Sequence, residues 1–352
     1  MFGNILIDKL RFSAKTNELM NPSEMMHNLN SIMSKHFRKE NYTLNIDKLY
    51  LRLTFTPTLY LDDVKAMDGK PVLNFEMISE NTLLHLLKQI HSILGDTAVV
   101  TWIDLNKGII TEEAVFKYIN ALGKQQFKYP YRKNECTSKA AVTSLILSPV
   151  KRYDNEVDTR NTAQQISFYD DVAEITSKTS TRFIDNVYLS DEEAKQVPEA
   201  HYDKRTNRLW LKNGLSDLHI LRCEQRYKYT KYIKKITHCL LGNKDVNELT
   251  LPILLELLDK KELYQKLDSF YTKTLKKHIF FNDIEQLKDI TLNKHEQMIV
   301  DELLEYDNID INSYAHLFRE IGYTSPYKRS SKKILYHTIG QYYRELYCKL
   351  GI

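Results

Sequence analysis

Short runs in which apolar and polar residues alternate recur along the chain up to about residue 230. Because successive side chains of a strand point to opposite faces, these runs predict β-strands. The predicted strands cover residues 49–56, 71–77, 98–105, 141–147, 164–169, 208–211 and 219–224. Apolar residues recur with the helical period in 79–94, which Ser79 or Asn81 caps and Gly95 ends, and in 111–122.

The pattern changes after about residue 232, where nearly all of the remaining sequence has helical periodicity. We therefore place a boundary near residues 236–245 and expect a first domain at 1–238 and a helical domain at 239–352. Residues 175–207 are polar and broken, which is typical of an excursion between two core strands. The predicted fold class is α+β: an antiparallel sheet with flanking helices on one side, followed by an all-helical C-terminal domain.

Within the helical part, residues 310–337 predict a short helix, a turn with a glycine, a polar loop rich in Ser, Lys and Arg, and another helix. Such a pair is typical of a helix-turn-helix that binds duplex DNA. Helix pairs are also common in bundles, so a structural or oligomerisation role is the alternative.

The composition excludes several classes of site. The closest two of the ten glycines are Gly340 and Gly351, so the chain has no GxG, GxxxxGK or GxSxG motif. Its four cysteines form no CxxC pair, and its eleven histidines form no HxH or HExxH motif, which excludes the common zinc patterns. No apolar stretch approaches the roughly 18 residues of a membrane helix, and the first residues lack an export-signal pattern. We expect a cytoplasmic protein with no membrane partner.

Basic residues and tyrosines are interleaved in segments 128–133, 226–235 and 325–337, although the net charge is only +4. Cations neutralise phosphates and aromatic rings stack on unpaired bases, so this combination favours nucleic acid as the partner. The alternative is a solvated basic face with half-buried tyrosines. The candidate DNA-binding residues are Arg222, Arg226, Lys228, Tyr229, Lys231, Lys234, Lys328, Arg329, Lys332 and Lys333.

Four polar residues lie within otherwise apolar or aromatic predicted strands: Glu76, Asp104, Tyr169 and Glu224. Taken one at a time, each is most simply a solvent-facing residue of an antiparallel sheet with one wet face. Taken in order, they belong to a series of short motifs. These are ILIDKLRF (5–12), NFEMISENTLLHLL (74–87), VTWIDLN (100–106), FYDDVAEI (168–175) and ILRCEQR (220–226).

In order and spacing, this series resembles the gene II (II/X) replication initiators of filamentous phages and, more distantly, the staphylococcal-type initiators of rolling-circle plasmids. The resemblance covers about residues 5–235. It implies that Tyr169 is the nucleophile that nicks one DNA strand, leaving a 5′-phosphotyrosine and a free 3′-OH. The acidic residues of the family fall on Asp104, on Glu224 and, with a one-residue gap, on Glu76.

The chemistry of such a nick requires charge to be neutralised on the phosphate oxygens, which implies Mg²⁺ or Mn²⁺ held by Asp104, Glu224 and Glu76. Asn106 shares a strand face with Asp104 and adds an oxygen ligand. Arg222 shares a face with Glu224 and is expected to bind a phosphate with two hydrogen bonds.

The chain departs from the family at two positions, with Trp102 where arginine is usual and Asp171 where lysine is usual. The second departure leaves the cation that stabilises the phosphate or the tyrosinate unassigned. Three more tyrosines, Tyr227, Tyr229 and Tyr232, lie among lysines that would lower a tyrosine pKa. They are alternative nucleophiles, with Tyr229 as the second choice, or rings that stack on displaced single-stranded bases.

The first functional interpretation is a metal-dependent, site-specific DNA nickase and strand transferase that starts rolling-circle replication of a phage or small plasmid. Its DNA substrate would be an origin hairpin or a locally single-stranded origin, and the host would supply helicase and polymerase. The alternatives are a non-catalytic origin- or operator-binding protein, and a mobilisation or transposition relaxase with the same chemistry. A homodimer is one of the oligomeric states left open.

Overall fold

Eleven strands form two antiparallel sheets in the part of the chain that the structure, a computed structural model, describes. The described residues are 4–19, 21–61, 78–124, 131–138, 141–149, 164–172, 188–189, 200–203, 208–211, 218–278, 291–294, 296–298 and 327–352. The strands are β1 (Leu6–Lys15), β2 (Tyr42–Ile46), β3 (Tyr50–Phe55), β4 (Val99–Ile110), β5 (Tyr131–Ser138), β6 (Ala141–Pro149), β7 (Gln164–Asp170), β8 (Tyr188–Leu189), β9 (Ala200–Asp203), β10 (Arg208–Leu211) and β11 (Ile220–Lys228).

The large sheet has eight strands in the order β2-β3-β1-β4-β11-β7-β6-β5. All of its neighbouring strands are antiparallel. The first and the last of the described strands, β1 and β11, flank β4, so the centre of this sheet joins segments that are far apart in sequence. The small sheet has the order β8-β10-β9 and comes from the segment between β7 and β11.

Seven α-helices accompany the sheets in the described residues. They are α1 (Pro22–His36), α2 (Glu80–Leu94), α3 (Val115–Lys124), α4 (Thr230–Leu241), α5 (Leu251–Asp259), α6 (Leu263–His278) and α7 (Tyr327–Leu350). The Ser79 side chain caps α2 by accepting a hydrogen bond from the Thr82 N–H at 3.1 Å. Gly95, with φ 70°, ends that helix in a conformation that favours glycine. An antiparallel sheet with helices confirms the α+β class.

The large sheet has an apolar face and a polar face, because side chains alternate along each strand. On β11, Cys223 and Gln225 face α6: the Gln225 amide donates to the Tyr271 carbonyl at 2.9 Å, and the Tyr271 hydroxyl donates to the Cys223 carbonyl at 2.8 Å. The alternate residues Arg222 and Glu224 therefore point to the polar face. Apolar side chains of the sheet and of the helices form one buried cluster.

The C-terminal helices contribute to that same cluster. Buried leucines of α5, α6 and α7 belong to it together with those of β1, β3 and β4. The expected boundary between residues 238 and 239 lies inside α4. Among the described residues, no helix is both long and apolar enough to cross a membrane.

Every predicted strand that falls on described residues is present, most of them with shifted ends. The strand predicted at 98–105 continues to Ile110 as β4, and the helix predicted at 111–122 begins only at Val115. The predicted strand 71–77, with Glu76, lies outside the described residues. The polar loop predicted before residue 337 is wrong, since α7 already begins at Tyr327. The first half of the predicted helix-turn-helix lies outside the described residues.

Candidate active site

Three neighbouring strands bring the predicted catalytic residues together on the polar face. In β11, Arg226 lies opposite Asp104 of β4. On its other side, β11 pairs with β7, where Arg222 lies opposite Tyr169. Because directly opposite residues of antiparallel strands share a face, Asp104, Tyr169 and Glu224 project from the same side of the sheet.

A hydrogen bond joins the predicted nucleophile to a carboxylate. The Tyr169 hydroxyl donates to Glu224 Oε2 at 3.2 Å. Burial raises the pKa of Tyr169 well above its usual value, and the Glu224 charge adds to this while Arg222 opposes it. Burial and the nearby Asp8 raise the pKa of Glu224 as well. The tyrosine is thus protonated at rest, and its proton already points at a basic oxygen.

Asp104 is a buried carboxyl group, 1% exposed, with donors on both oxygens. The Trp102 indole N–H donates to its Oδ1 at 2.6 Å, and Arg226 Nε donates to its Oδ2 at 3.3 Å. Burial, reinforced by the charge of Glu224, raises the pKa of Asp104 to about 7. Trp102 therefore holds this carboxyl group in place.

Arg226 bridges the two carboxyl groups. Besides Asp104, it donates from an Nη atom to Glu224 Oε1 at 2.9 Å and from the other to Gln165 at 3.1 Å. Such charge-assisted bonds are among the stronger ones in proteins. Arg226 was predicted as a DNA contact; its cation lies between Asp104 and Glu224 and its side chain stays 28% exposed.

The Arg222 side chain is buried within the site and does not face solvent. It is 1% exposed, and its guanidinium lies 2.7 Å from Asp8 Oδ1 and 3.5 Å from Asp171 Oδ1. The Tyr169 ring lies 5.8 Å from it. The predicted grip on a phosphate is not supported by this geometry, because two carboxylates already engage the cation. Asp171, which stands where the family has lysine, is one of those partners.

A bulge in β1 accompanies the contact between Asp8 and Arg222. The register of β1 against β4 shifts at Asp8, so this residue is the extra one of the bulge. Gly108 of β4 lies opposite Arg222 and adds no side chain beside it. Asp8 lies in the motif ILIDKLRF, and no role was predicted for it.

The oxygen-rich donor set of this face fits a hard divalent cation. Asn106 lies opposite Glu224 on β4 and is 1% exposed, and neither of its amide atoms has a hydrogen-bond partner among the residues that the structure describes. Asp104, Asn106 and Glu224 are the residues present that would hold Mg²⁺ or Mn²⁺. Within the described ranges, no three or more Asp, Glu, His and Cys side chains group as a metal site. An ion here would share both carboxylates with Arg226.

The other predicted residues divide between the two faces. Tyr227 is 1% exposed and donates to Gln225 at 2.7 Å on the apolar side, so it is neither a nucleophile nor a stacking ring. Tyr232 packs against the core, whereas Tyr229 is 66% exposed. Lys231 and Lys234 are exposed on α4. The side chains of Lys328, Arg329, Lys332 and Lys333 in α7 lie outside the described part.

A scan of protein-family models and a search of curated proteins found no match to this chain. The resemblance to phage and plasmid initiators therefore stays a prediction carried by the short motifs. The chemistry of the site rests on its geometry: a tyrosine hydroxyl on a carboxylate, beside a second carboxyl group, a buried amide and a bridging guanidinium.

Proposed function

We propose that this protein cuts and rejoins one strand of DNA by phosphoryl transfer to Tyr169. The observation that carries the proposal is the hydrogen bond from the Tyr169 hydroxyl to Glu224 on a face that also holds Asp104 and Asn106. A tyrosine becomes a useful nucleophile when an adjacent base accepts its proton. Glu224, whose pKa is raised by burial, is such a base.

In the first step, Tyr169 Oη attacks the phosphorus of a phosphodiester while its proton passes to Glu224. The bond from phosphorus to the 3′-oxygen breaks, and that oxygen takes up a proton from solvent water to become a free 3′-OH. The 5′-phosphate stays on the tyrosine as an ester. The reverse attack by a 3′-OH releases Tyr169 and reseals the strand, with Glu224 returning the proton.

The residues around the pair have separate tasks. Arg222 lies 5.8 Å from the Tyr169 ring and positions it. Arg226 places a guanidinium beside Glu224, where it can donate to phosphate oxygens whose negative charge increases. A divalent cation on Asp104, Asn106 and Glu224 would add charge stabilisation of the same phosphate.

The cellular role that fits this chemistry and the motifs is initiation of rolling-circle replication at an origin. The free 3′-OH primes a polymerase, and a helicase from the host unwinds the strand that remains attached through Tyr169. The same chemistry serves a mobilisation or transposition relaxase, so the role rests on the resemblance alone.

One observation favours a second candidate, a non-catalytic origin- or operator-binding protein. Arg226 already neutralises both Asp104 and Glu224, and a face arranged in this way needs no metal ion to be stable. In that case the exposed basic residues of α4 would bind DNA phosphates without cleavage.

The test is a nicking assay on a supercoiled plasmid that carries the gene with its flanking DNA, with Mg²⁺, Mn²⁺ or chelator. Wild type should form a covalent protein–DNA adduct that Tyr169→Phe abolishes. Tyr42→Phe is the matched control, since it also removes one tyrosine hydroxyl bond, to Asn30 at the sheet edge. An adduct that persists in Tyr169→Phe and disappears in Tyr229→Phe would show that the nucleophile is Tyr229. If DNA binding is salt-sensitive and no adduct forms under any condition, the result would support the non-catalytic DNA-binding protein.

A further inference from the structure

A cavity of about 700 Å³ opens on the polar face beside the carboxylate cluster. Its walls include Trp102 and Tyr229, and four basic residues: Arg11, Lys15, Arg52 and Lys228. The volume is within the range of about 300–1,000 Å³ that small-molecule pockets have. Trp102 also donates to Asp104, so this cavity, which we name the Trp102 cavity, adjoins the proposed active site.

Cations surround one indole ring in this cavity. Lys228 Nζ lies 3.9 Å from the centroid of the Trp102 ring and Arg11 Cζ lies 4.5 Å from it. Lys9 and Arg226 approach the same ring at 5.0 and 5.8 Å. Like charges gathered around a single ring repel one another, and a bound anion relieves that repulsion.

Of the four basic residues that line the cavity, Arg11 and Lys228 are available to bind an anion. Lys15 is paired with Glu18 at 3.0 Å, and Arg52 is paired with Asp47. Arg11 donates from Nε to the Thr54 hydroxyl at 2.8 Å, and within the described ranges neither Arg11 nor Lys228 forms an ion pair. Burial and the neighbouring Arg52 lower the pKa of Arg11, and burial and Arg226 lower the pKa of Lys228.

Tyr229 stands at the edge of the cavity in a strained backbone conformation. Its φ of 68° and ψ of 146° lie in a region that bulky residues rarely adopt. Its N–H is fixed to the Thr101 carbonyl at 2.8 Å, and its side chain is 66% exposed. Such strain persists where the surroundings impose it, and it is frequent at ligand sites. Here it presents an aromatic ring to solvent beside Trp102.

We propose that the Trp102 cavity binds an unpaired nucleotide of single-stranded DNA, with the base against the exposed ring of Tyr229 and its phosphate on Arg11 and Lys228, the two cations that cover the Trp102 ring. Flat rings beside free cations are the combination that binds single strands without reading their sequence. That the same DNA strand is also cut at Tyr169 rests on the proposed function.

The position of the cavity along β11 indicates where the DNA strand would lie relative to Tyr169. Lys228 borders the cavity, and Glu224, which accepts a hydrogen bond from the Tyr169 hydroxyl, lies four residues away along β11. At about 3.3 Å per residue, this separation is about 13 Å. A single nucleotide does not span both places, so the cavity holds a flanking nucleotide and not the one whose phosphate is cut.

The experiment measures binding of a fluorescent oligothymidylate and of a duplex of the same length, using Tyr169→Phe protein so that no cleavage occurs. We expect the single strand to bind more tightly than the duplex. Tyr229→Ala should weaken single-strand binding about 10-fold or more, as loss of one base stack does. Arg11→Ala should reduce the slope of log affinity against log salt by about 0.7. Lys88→Ala, an exposed lysine on α2 outside the cavity, removes the same charge and should change neither.

Several outcomes would overturn the proposal. One is single-strand binding that is unchanged in both Tyr229→Ala and Arg11→Ala, which would place the strand elsewhere. Another is preference for the duplex, and a third is equally tight binding of free thymidine monophosphate, which would make this a small-anion site. Circular dichroism of each variant checks that it is folded. Since binding is read without cleavage, failure of the nicking assay leaves this result standing, and the reverse holds as well.

Discussion

Replacing Asp104 by Asn should stabilise the protein at pH 8 while it impairs the site. The carboxyl group is 1% exposed and has its pKa raised from 3.8 to about 7, chiefly by burial. An acid that is weaker when folded binds more protons in the folded state than in the unfolded state. The free energy of unfolding therefore falls as the pH rises from about 4 to 7, and the full stabilisation is present only below that window.

The size of the effect follows from the same shift. At 1.36 kcal/mol per pKa unit, the change from 3.8 to about 7 corresponds to at most about 4 kcal/mol lost by wild type at pH 8. Asparagine stays neutral and its oxygen still accepts from the Trp102 indole, but its NH2 group then faces the Arg226 Nε–H, which loses its acceptor. The variant should lie about 1 kcal/mol below wild type near pH 4 and up to about 3 kcal/mol above it at pH 8.

The assay is urea unfolding followed by circular dichroism at pH 4 to 8, in chelator so that no metal ion binds. Asp47→Asn serves as the control, since hydrogen bonds from the Leu49 N–H and Arg52 lower the pKa of Asp47 to about 2. Its difference from wild type should stay constant above pH 5. If Asp104→Asn is less stable than wild type at pH 8, and the gap widens with pH, the pair with Arg226 outweighs burial and the reasoning fails.

Three further substitutions test the framework by chemical unfolding. Ser79→Ala removes the cap of α2 and should cost about 1 kcal/mol, whereas Ser92→Ala, an exposed serine of the same helix, should cost almost nothing; equal effects would contradict the capping role. Arg222→Met leaves Asp171 buried without its cation and should cost about 3–5 kcal/mol; a loss below 1 kcal/mol would contradict a structural role. Gly242→Ala, at φ 65° after α4, should cost about 1 kcal/mol, and no loss would show that this helix end relaxes.

The alternation of residues was enough to predict the strands that carry the site. It placed Asp104 with Asn106, and Arg222 with Glu224, on common faces, because the period of two needs no knowledge of neighbours. The C-terminal end of β4 was not predictable in this way. Lys107 is polar yet buried, since its ammonium pairs with Asp268 at 2.6 Å and donates to the Leu350 carbonyl at 3.2 Å. Partners so distant in sequence leave no local pattern.

The roles of individual charges were harder to predict than their positions. From the sequence alone, Arg222 and Arg226 are two basic residues of one strand, and both are suited to binding phosphate. Their different surroundings arise from the sheet order, which sets Arg222 opposite Gly108 and Arg226 opposite Asp104. Likewise, β1, β2 and β5 were not predicted, and the bulge at Asp8 depends on the pairing of β1 with β4.

The central position of β4 also has a consequence for how the protein folds. The two strands that pair with β4 are far apart in the sequence: β1 begins at Leu6 and β11 ends at Lys228. Contacts between segments so far apart form slowly, because a long loop must close before any of them is made. During synthesis, the hydrogen-bonding edge of β4 stays open until β11 has left the ribosome, and an open edge invites pairing with other chains. A fragment that ends before residue 220 should therefore aggregate rather than yield a smaller active protein.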